Sequence, residues 1–156
     1  RRNQRRTQAV NVQVIAPGLY RLIPEGLAYG RYTLEGVRSE PRLVFARARI
    51  PGPPPVPRVT TVERYFAVHG TDTVTELRAT FTNPIPDTVV AVIMAFDDDS
   101  PDHFVRAVPT ARELVLFQSG HPMPEGASAP SESGTVRVAF VDRVGQVSEM
   151  SSPRTF

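Results

Sequence analysis

The sequence predicts an all-β protein, a two-sheet sandwich with an N-terminal β extension, and three observations carry that prediction. Residues 88–96, TVVAVIMAF, run eight apolar residues after Thr88 without a polar break. The run is too short for an ordinary buried helix and rich in β-branched side chains, so it reads as a strand covered on both faces. Sixteen prolines and ten glycines cut the chain into short elements, and proline, lacking a backbone donor, is excluded from helix interiors. About seven short strands then follow one another between residues 59 and 151, the spacing of a two-sheet sandwich.

A chain of 156 residues is the size of one ordinary domain and can bury roughly two-thirds of its unfolded surface. With no cysteine it has no disulfide, thiolate metal site or cysteine nucleophile. No apolar run approaches the ~20 residues that span a bilayer as a helix, so no transmembrane segment is expected, and nothing near residue 1 is laid out as a secretory signal. Opening at Arg1 rather than Met, the chain reads as a processed or trimmed piece. All eighteen basic side chains are arginine, for which a high-GC coding sequence is the simpler explanation and a demand for guanidinium contacts the alternative. The net charge of +2 hides an asymmetry. Residues 1–50 hold ten arginines against Glu25, Glu35 and Glu40, a balance of +7 (10 − 3), and residues 51–156 hold eight against thirteen acids, −5 (8 − 13). Segments of opposite sign attract, within a chain or between neighbours.

Residues 1–7 form a basic arm with nothing to bury, read as a solvated tail or as a contact to nucleic acid, anionic lipid or an acidic protein surface through Arg1, Arg2, Arg5 and Arg6. Residues 8–49 form a β segment too small for a core of its own, which must pack on the body or on a neighbour. Within it, residues 8–15 alternate Val10, Val12 and Val14 against Ala9, Asn11 and Gln13, a half-buried strand that Pro17-Gly18 breaks. Residues 19–23, 27–37 and 43–50 read as further strands, and the last carries a basic face of Arg47 and Arg49. Residues 50–57, with five prolines in eight, read as an extended, semi-rigid polyproline linker.

The body is expected over residues 58–156. Strands are expected at 59–68, at 74–82 with Leu77, Ala79 and Phe81 inward and Glu76, Arg78 and Thr80 outward, and at the central 89–96, with Val92 and Met94 on one face and Ile93 and Ala95 on the other. A short edge strand at 103–108, a strand at 113–117, a Pro/Ser/Gly loop at 118–134, a strand at 135–142 and a closing strand at 146–151 complete the series. The aromatic residues fall mostly in these strands, where core packing accounts for them.

The closing stretch TVRVAFVDRVGQVSEMSSP, residues 135–153, resembles the last two strands of fibronectin type III and related immunoglobulin-like modules: an alternating strand ends in Val141-Asp142, turns at Gly145 and returns through Ser148 to Ser152. Two departures from the pattern stand out, Val136 where a tyrosine is usual and no tryptophan for the core. The resemblance covers about two-thirds of the chain, implies an immunoglobulin-like sandwich, and carries no catalytic residues.

Candidate chemistry is sparse. Asp97, Asp98, Asp99 and Asp102 form the acidic cluster; they could contribute to a Ca²⁺ site, but they lack the glycine and spacing of an EF-hand, and a solvated turn is the reading preferred. His69, His103 and His121 are scattered without metal-ligand spacing. Ser119-Gly120-His121 sets a hydroxyl beside an imidazole without a nucleophile elbow or a third orienting group. No phosphate-binding glycine loop is present, and no cofactor is expected.

The sequence therefore points to a non-enzymatic structural or interaction module of a surface, secreted or fibrous protein, associating with itself or another protein, with strand addition to an exposed sheet edge as the route to self-assembly. The alternative is a viral or phage coat protein whose arginine arm holds nucleic acid in the virion.

Overall fold

The computed structural model of the protein describes residues 10–24 and 52–156. The expected strands at 27–37 and 43–50, with Arg47 and Arg49, and the arm with Arg1, Arg2, Arg5 and Arg6, lie outside the described residues. Within them the fold is all-β, with no helix and with every strand pair antiparallel.

A hairpin of β1 (Val10–Ala16) and β2 (Leu19–Pro24) comes first, turning at Gly18 with φ 78°. After it come β3 (Val59–His69), β4 (Asp72–Phe81), β5 (Val89–Phe96), β6 (His103–Arg106), β7 (Glu113–Gln118), β8 (Thr135–Asp142) and the two-residue β9 (Arg154–Thr155). One sheet has the order β3-β4-β7 and the other β6-β5-β8-β9.

The two sheets face each other across a single apolar cluster. Val62 of β3, Leu77, Ala79 and Phe81 of β4, and Leu114 and Leu116 of β7 meet Val92, Met94 and Phe96 of β5 and Val136, Val138 and Phe140 of β8. Period-two alternation selects these residues: Leu77, Ala79 and Phe81 turn inward while Arg78 and Thr80 turn outward, as expected from their spacing. Phe81 and Phe140 join the sheets, with ring centroids 5.7 Å apart and tilted by 38°.

The central strand β5 is buried on both faces. Val92 and Met94 face the opposite sheet, whereas Ile93, with Ala91 of β5 and Ala139 and Val141 of β8, belongs to a second cluster on the outer face of the four-stranded sheet. That outer face is covered by the β1–β2 turn through Ile15, Ala16 and Leu19. Gly18 sits so close to Pro124 that a side chain there would meet the ring at 2.7 Å, and the Arg21 stem lies equally close over Gly145. The hairpin thus docks by its turn. Val12 and Val14, expected on the buried side of a half-buried strand, are exposed; the contacts to the sheet are made at the turn, by Ile15, Ala16 and Leu19, at and beyond the register shift between Val14 and Ala16.

The expected linker has Pro54 and Pro57 buried in its described part, and residues 52–58 form no strand. The closing strand differs from expectation. Residues 146–151 form only an isolated bridge, Val141 to Val147, and the strand that ends the four-stranded sheet is β9. The reason is side-chain competition. The Ser148 and Ser151 hydroxyls accept the N–H groups of Phe140 and Val138 that a regular ladder would give to carbonyls.

Candidate functional site

The outer face of the three-stranded sheet carries the densest polar cluster among the described residues. Alternation brings Glu63 and Tyr65 of β3, Glu76 and Arg78 of β4, and Glu113 of β7 to this side, with Arg78 paired to Glu63 and Val115 in the register. Arg78 donates to Glu76 from Nε at 2.9 Å and from Nη2 at 2.8 Å, reaches Glu113 at 3.4 Å, and lies 4.5 Å from the centre of the Tyr65 ring. The Tyr65 hydroxyl donates to Glu63 at 2.6 Å, so losing its proton would place two negative charges side by side, and its pKa is raised. Glu76 is buried beneath this network; the Arg78 hydrogen bond holds its carboxyl below the usual range against the opposing effect of burial. His69 touches Glu76 at 3.4 Å, a contact at the limit of hydrogen bonding. The cluster is knitted within one chain, with its arginine already shared by two carboxylates.

The inner face of β3 behaves differently along its length. Val62 is in the core. Arg64, next on the same face, donates from Nη2 to the Ser131 carbonyl and lies 5.6 Å from the Phe156 ring centre. Phe66 and Val68 follow on that face but are 75% and 74% exposed, since the β3–β4 hairpin projects beyond the opposing sheet. β3 is also the outermost strand of its sheet, eleven residues long. Among the described residues no strand pairs with its free edge, and Arg154 Nε meets it only at the Val59 carbonyl, at 2.8 Å. Aromatic positions were expected in the core; Phe81, Phe96 and Phe140 are there, but Tyr20, Tyr65 and Phe66 are not. The adjacent Tyr65-Phe66 pair was the signal, since neighbours in a strand point to opposite faces and both cannot enter one core.

A groove of about 320 Å³ opens where the edges of β6 and β7 approach, lined by His103, Val105, Arg106, Phe117, His121 and Met123 among others. His103 faces inward beside Met94, its register partner on β5. Burial pushes its pKa down, and its Nδ1 is buried without a partner. Ser119 Oγ accepts the Thr75 N–H at 2.8 Å and the Ser119 N–H donates to the Thr75 carbonyl at 2.9 Å, which pins the chain after β7 to β4.

The four aspartates are divided among separate tasks. Asp97, with φ 62°, accepts the Thr135 N–H at 2.8 Å; Asp98 accepts the Ser100 N–H at 2.7 Å; Asp99 pairs with Arg137 at 3.2 Å; and Asp102 accepts the Phe96 N–H at 2.7 Å. These bonds tie the β5–β6 turn to β5 and β8. Among the described residues no three His, Cys, Asp or Glu side chains are grouped to hold a metal ion, and no helix is long and apolar enough to cross a membrane.

No protein-family model matches the chain, and no curated protein and no solved structure matches it.

Proposed function

We propose that this chain is a fibronectin type III-like interaction module of a surface, secreted or fibrous protein, that it acts without catalysis, and that it associates by strand addition. Two features support the fold half of the proposal. Counted from β3, the first, second and fifth strands make one sheet, and the fourth, third, sixth and seventh make the other. This moves the fourth strand off the sheet it occupies in constant-type immunoglobulin domains and favours the fibronectin type III side of the resemblance. The turn after Val141-Asp142 also fits, with Asp142 Oδ1 accepting the N–H groups of Val144 and Gln146 at 3.0 and 2.8 Å, and Gly145 at φ 83°.

The observation that carries the interaction role is the free edge of β3. Folded proteins protect sheet edges with short strands, lysines, prolines or covering loops, because a bare row of backbone donors and acceptors is a template for another strand. β3 is long, has no proline between Val59 and His69, keeps its charged residues to Glu63 and Arg64, and presents Phe66 and Val68 at its far end. Sedimentation velocity over a wide range of protein concentration, with electron microscopy of the same material, tests the reading. Association that grows with concentration is expected; a single monomeric species at every concentration would remove it.

A further inference from the structure

We infer that two copies of the chain pair through β3 itself, antiparallel about a two-fold axis at Phe66, to join their two three-stranded sheets into one continuous sheet. The inference rests on the strand-addition reading and names the strand, the register and the partner.

Sequence and geometry choose the partner together. An antiparallel two-fold pairing needs an edge that complements itself, because each residue meets its mirror position on the other copy. Centred on Phe66, residue Phe66 opposes Phe66 of the second copy, Arg64 opposes Val68, Tyr65 opposes Ala67, and Glu63 opposes His69. The inner face then gains an aromatic pair at the axis, flanked on each side by an arginine stem lying on a valine, and the two most exposed large apolar side chains of the described sandwich are covered. On the outer face each carboxylate meets an imidazole, not another carboxylate, so no like charges are opposed. Shifting the centre to Tyr65 pairs the two tyrosines on the outer face and sets the Arg64 stem against Phe66, but it leaves Glu63 opposite Ala67, with no partner for its charge. Shifting it to Ala67 pushes Glu63 beyond the end of the partner strand. Only the Phe66 register uses both exposed apolar residues and keeps both charged residues opposite a favourable neighbour.

The overhang supplies the space. Phe66 and Val68 lie beyond the opposing sheet, opposite Thr75 and Thr73 in the register of β4. A second hairpin arriving edge-on meets no second layer there among the described residues. At the other end of β3, Arg154 on the Val59 carbonyl limits the pairing to the part of the strand beyond it.

The chain has no cysteine, so single-cysteine variants report the register directly. Side chains directly opposite in an antiparallel pair have Cβ atoms ~4.5–5.5 Å apart, close to disulfide reach. Phe66→Cys should therefore form an intermolecular disulfide rapidly under mild oxidation. Thr73→Cys, exposed on the same face but one strand further in, stands at least three strand spacings, ~14 Å, from its counterpart and should not. Val68→Cys, four positions from its counterpart along the strand, should not either. Phe66→Lys should abolish the dimer in sedimentation while leaving in place the urea midpoint measured at a protein concentration low enough for the wild type to be monomeric, as the side chain is outside the core. A dimer whose Phe66→Cys variant does not cross-link, or cross-links no faster than the Thr73→Cys variant, overturns this pairing and leaves strand addition elsewhere. A wild-type monomer at all concentrations overturns both. A monomer in which Phe66 is nonetheless shielded from solvent assigns the edge to the chain's own residues 25–51 and overturns the dimer.

Discussion

The Ser148 hydroxyl accepts the Phe140 N–H at 2.9 Å, while the Ser148 N–H donates to the Phe140 carbonyl at the same distance. Both backbone groups of a buried strand residue are thus satisfied by one serine. Ser151 repeats the arrangement on Val138, accepting its N–H at 3.0 Å and donating to its carbonyl at 2.8 Å. Each hydroxyl in turn donates a hydrogen bond to the next residue's carbonyl, that of Glu149 or Ser152. Replacing Ser148 or Ser151 with alanine strands a buried N–H on β8. We expect each change to cost about 1–3 kcal/mol, read from urea denaturation, and a change inside experimental scatter would show that water replaces the hydroxyl.

Ile93 and Met94 are adjacent and equally buried, but they serve different layers. Truncation of either to alanine should cost ~2–5 kcal/mol. Only Ile93→Ala removes support from beneath the β1–β2 turn. Hydrogen exchange in β1 and β2 should therefore accelerate selectively in Ile93→Ala, and equal acceleration in Met94→Ala would separate the hairpin from this contact.

Acid should weaken the fold in two steps with the same sign. His103 is held below its ordinary value by burial, so its neutral form is favoured in the folded state; stability is fully present above the unfolded value near 6.5 and falls as pH drops through the lower folded value. Glu76 is depressed chiefly by the Arg78 hydrogen bond, so its contribution is present above the unfolded carboxyl range and is lost as pH falls through the lower folded value. His103→Phe should flatten the first step, and it also removes an unpaired buried nitrogen, so at pH 8 the variant should be no less stable than the wild type. Glu76→Gln should flatten the second. Urea midpoints across pH 3 to 8 separate the two, and unchanged profiles in both variants would assign the acid sensitivity to other groups.

The terminal residues close the far end of the core. Phe156 exchanges backbone bonds with Gly134, packs edge-on against Phe96 with centroids 6.2 Å apart, and lies under Arg64. Removing residues 153–156 should lower the unfolding temperature and release Arg64, whereas Arg154→Ala should do less, since it takes away one bond to the edge of β3 and no packed ring. Thermal melts of the two variants check the ranking.

The coat-protein alternative makes a numerical demand. If Arg1, Arg2, Arg5 and Arg6 each neutralise one phosphate, log K for duplex DNA should fall against log salt with a slope of about −3.6. We expect weak binding whose slope survives deletion of residues 1–6. A slope near that value lost with the arm, together with nucleic acid in purified particles, would favour the coat protein.

What the sequence determined by itself was local. Alternation chose the inward residues of β4, the unbroken apolar run of β5 announced a strand buried on both sides, and Gly145 after Val141-Asp142 marked the turn that follows β8. Each depends on chain geometry within a few residues, where period and φ are dictated by residue type. The tertiary structure decided everything that depends on where one element ends relative to another. Ser148 and Ser151 look like strand residues until β8 lies beside them and their hydroxyls compete with their carbonyls. Asp97, Asp99 and Asp102 look like one acidic site until the β5–β6 turn divides them among Thr135, Arg137 and Phe96. Phe66 and Val68 carry the same alternation as Val62, and nothing within β3 says that the opposing sheet stops at Arg64. Burial is a property of two surfaces, and only one of them is written in a strand.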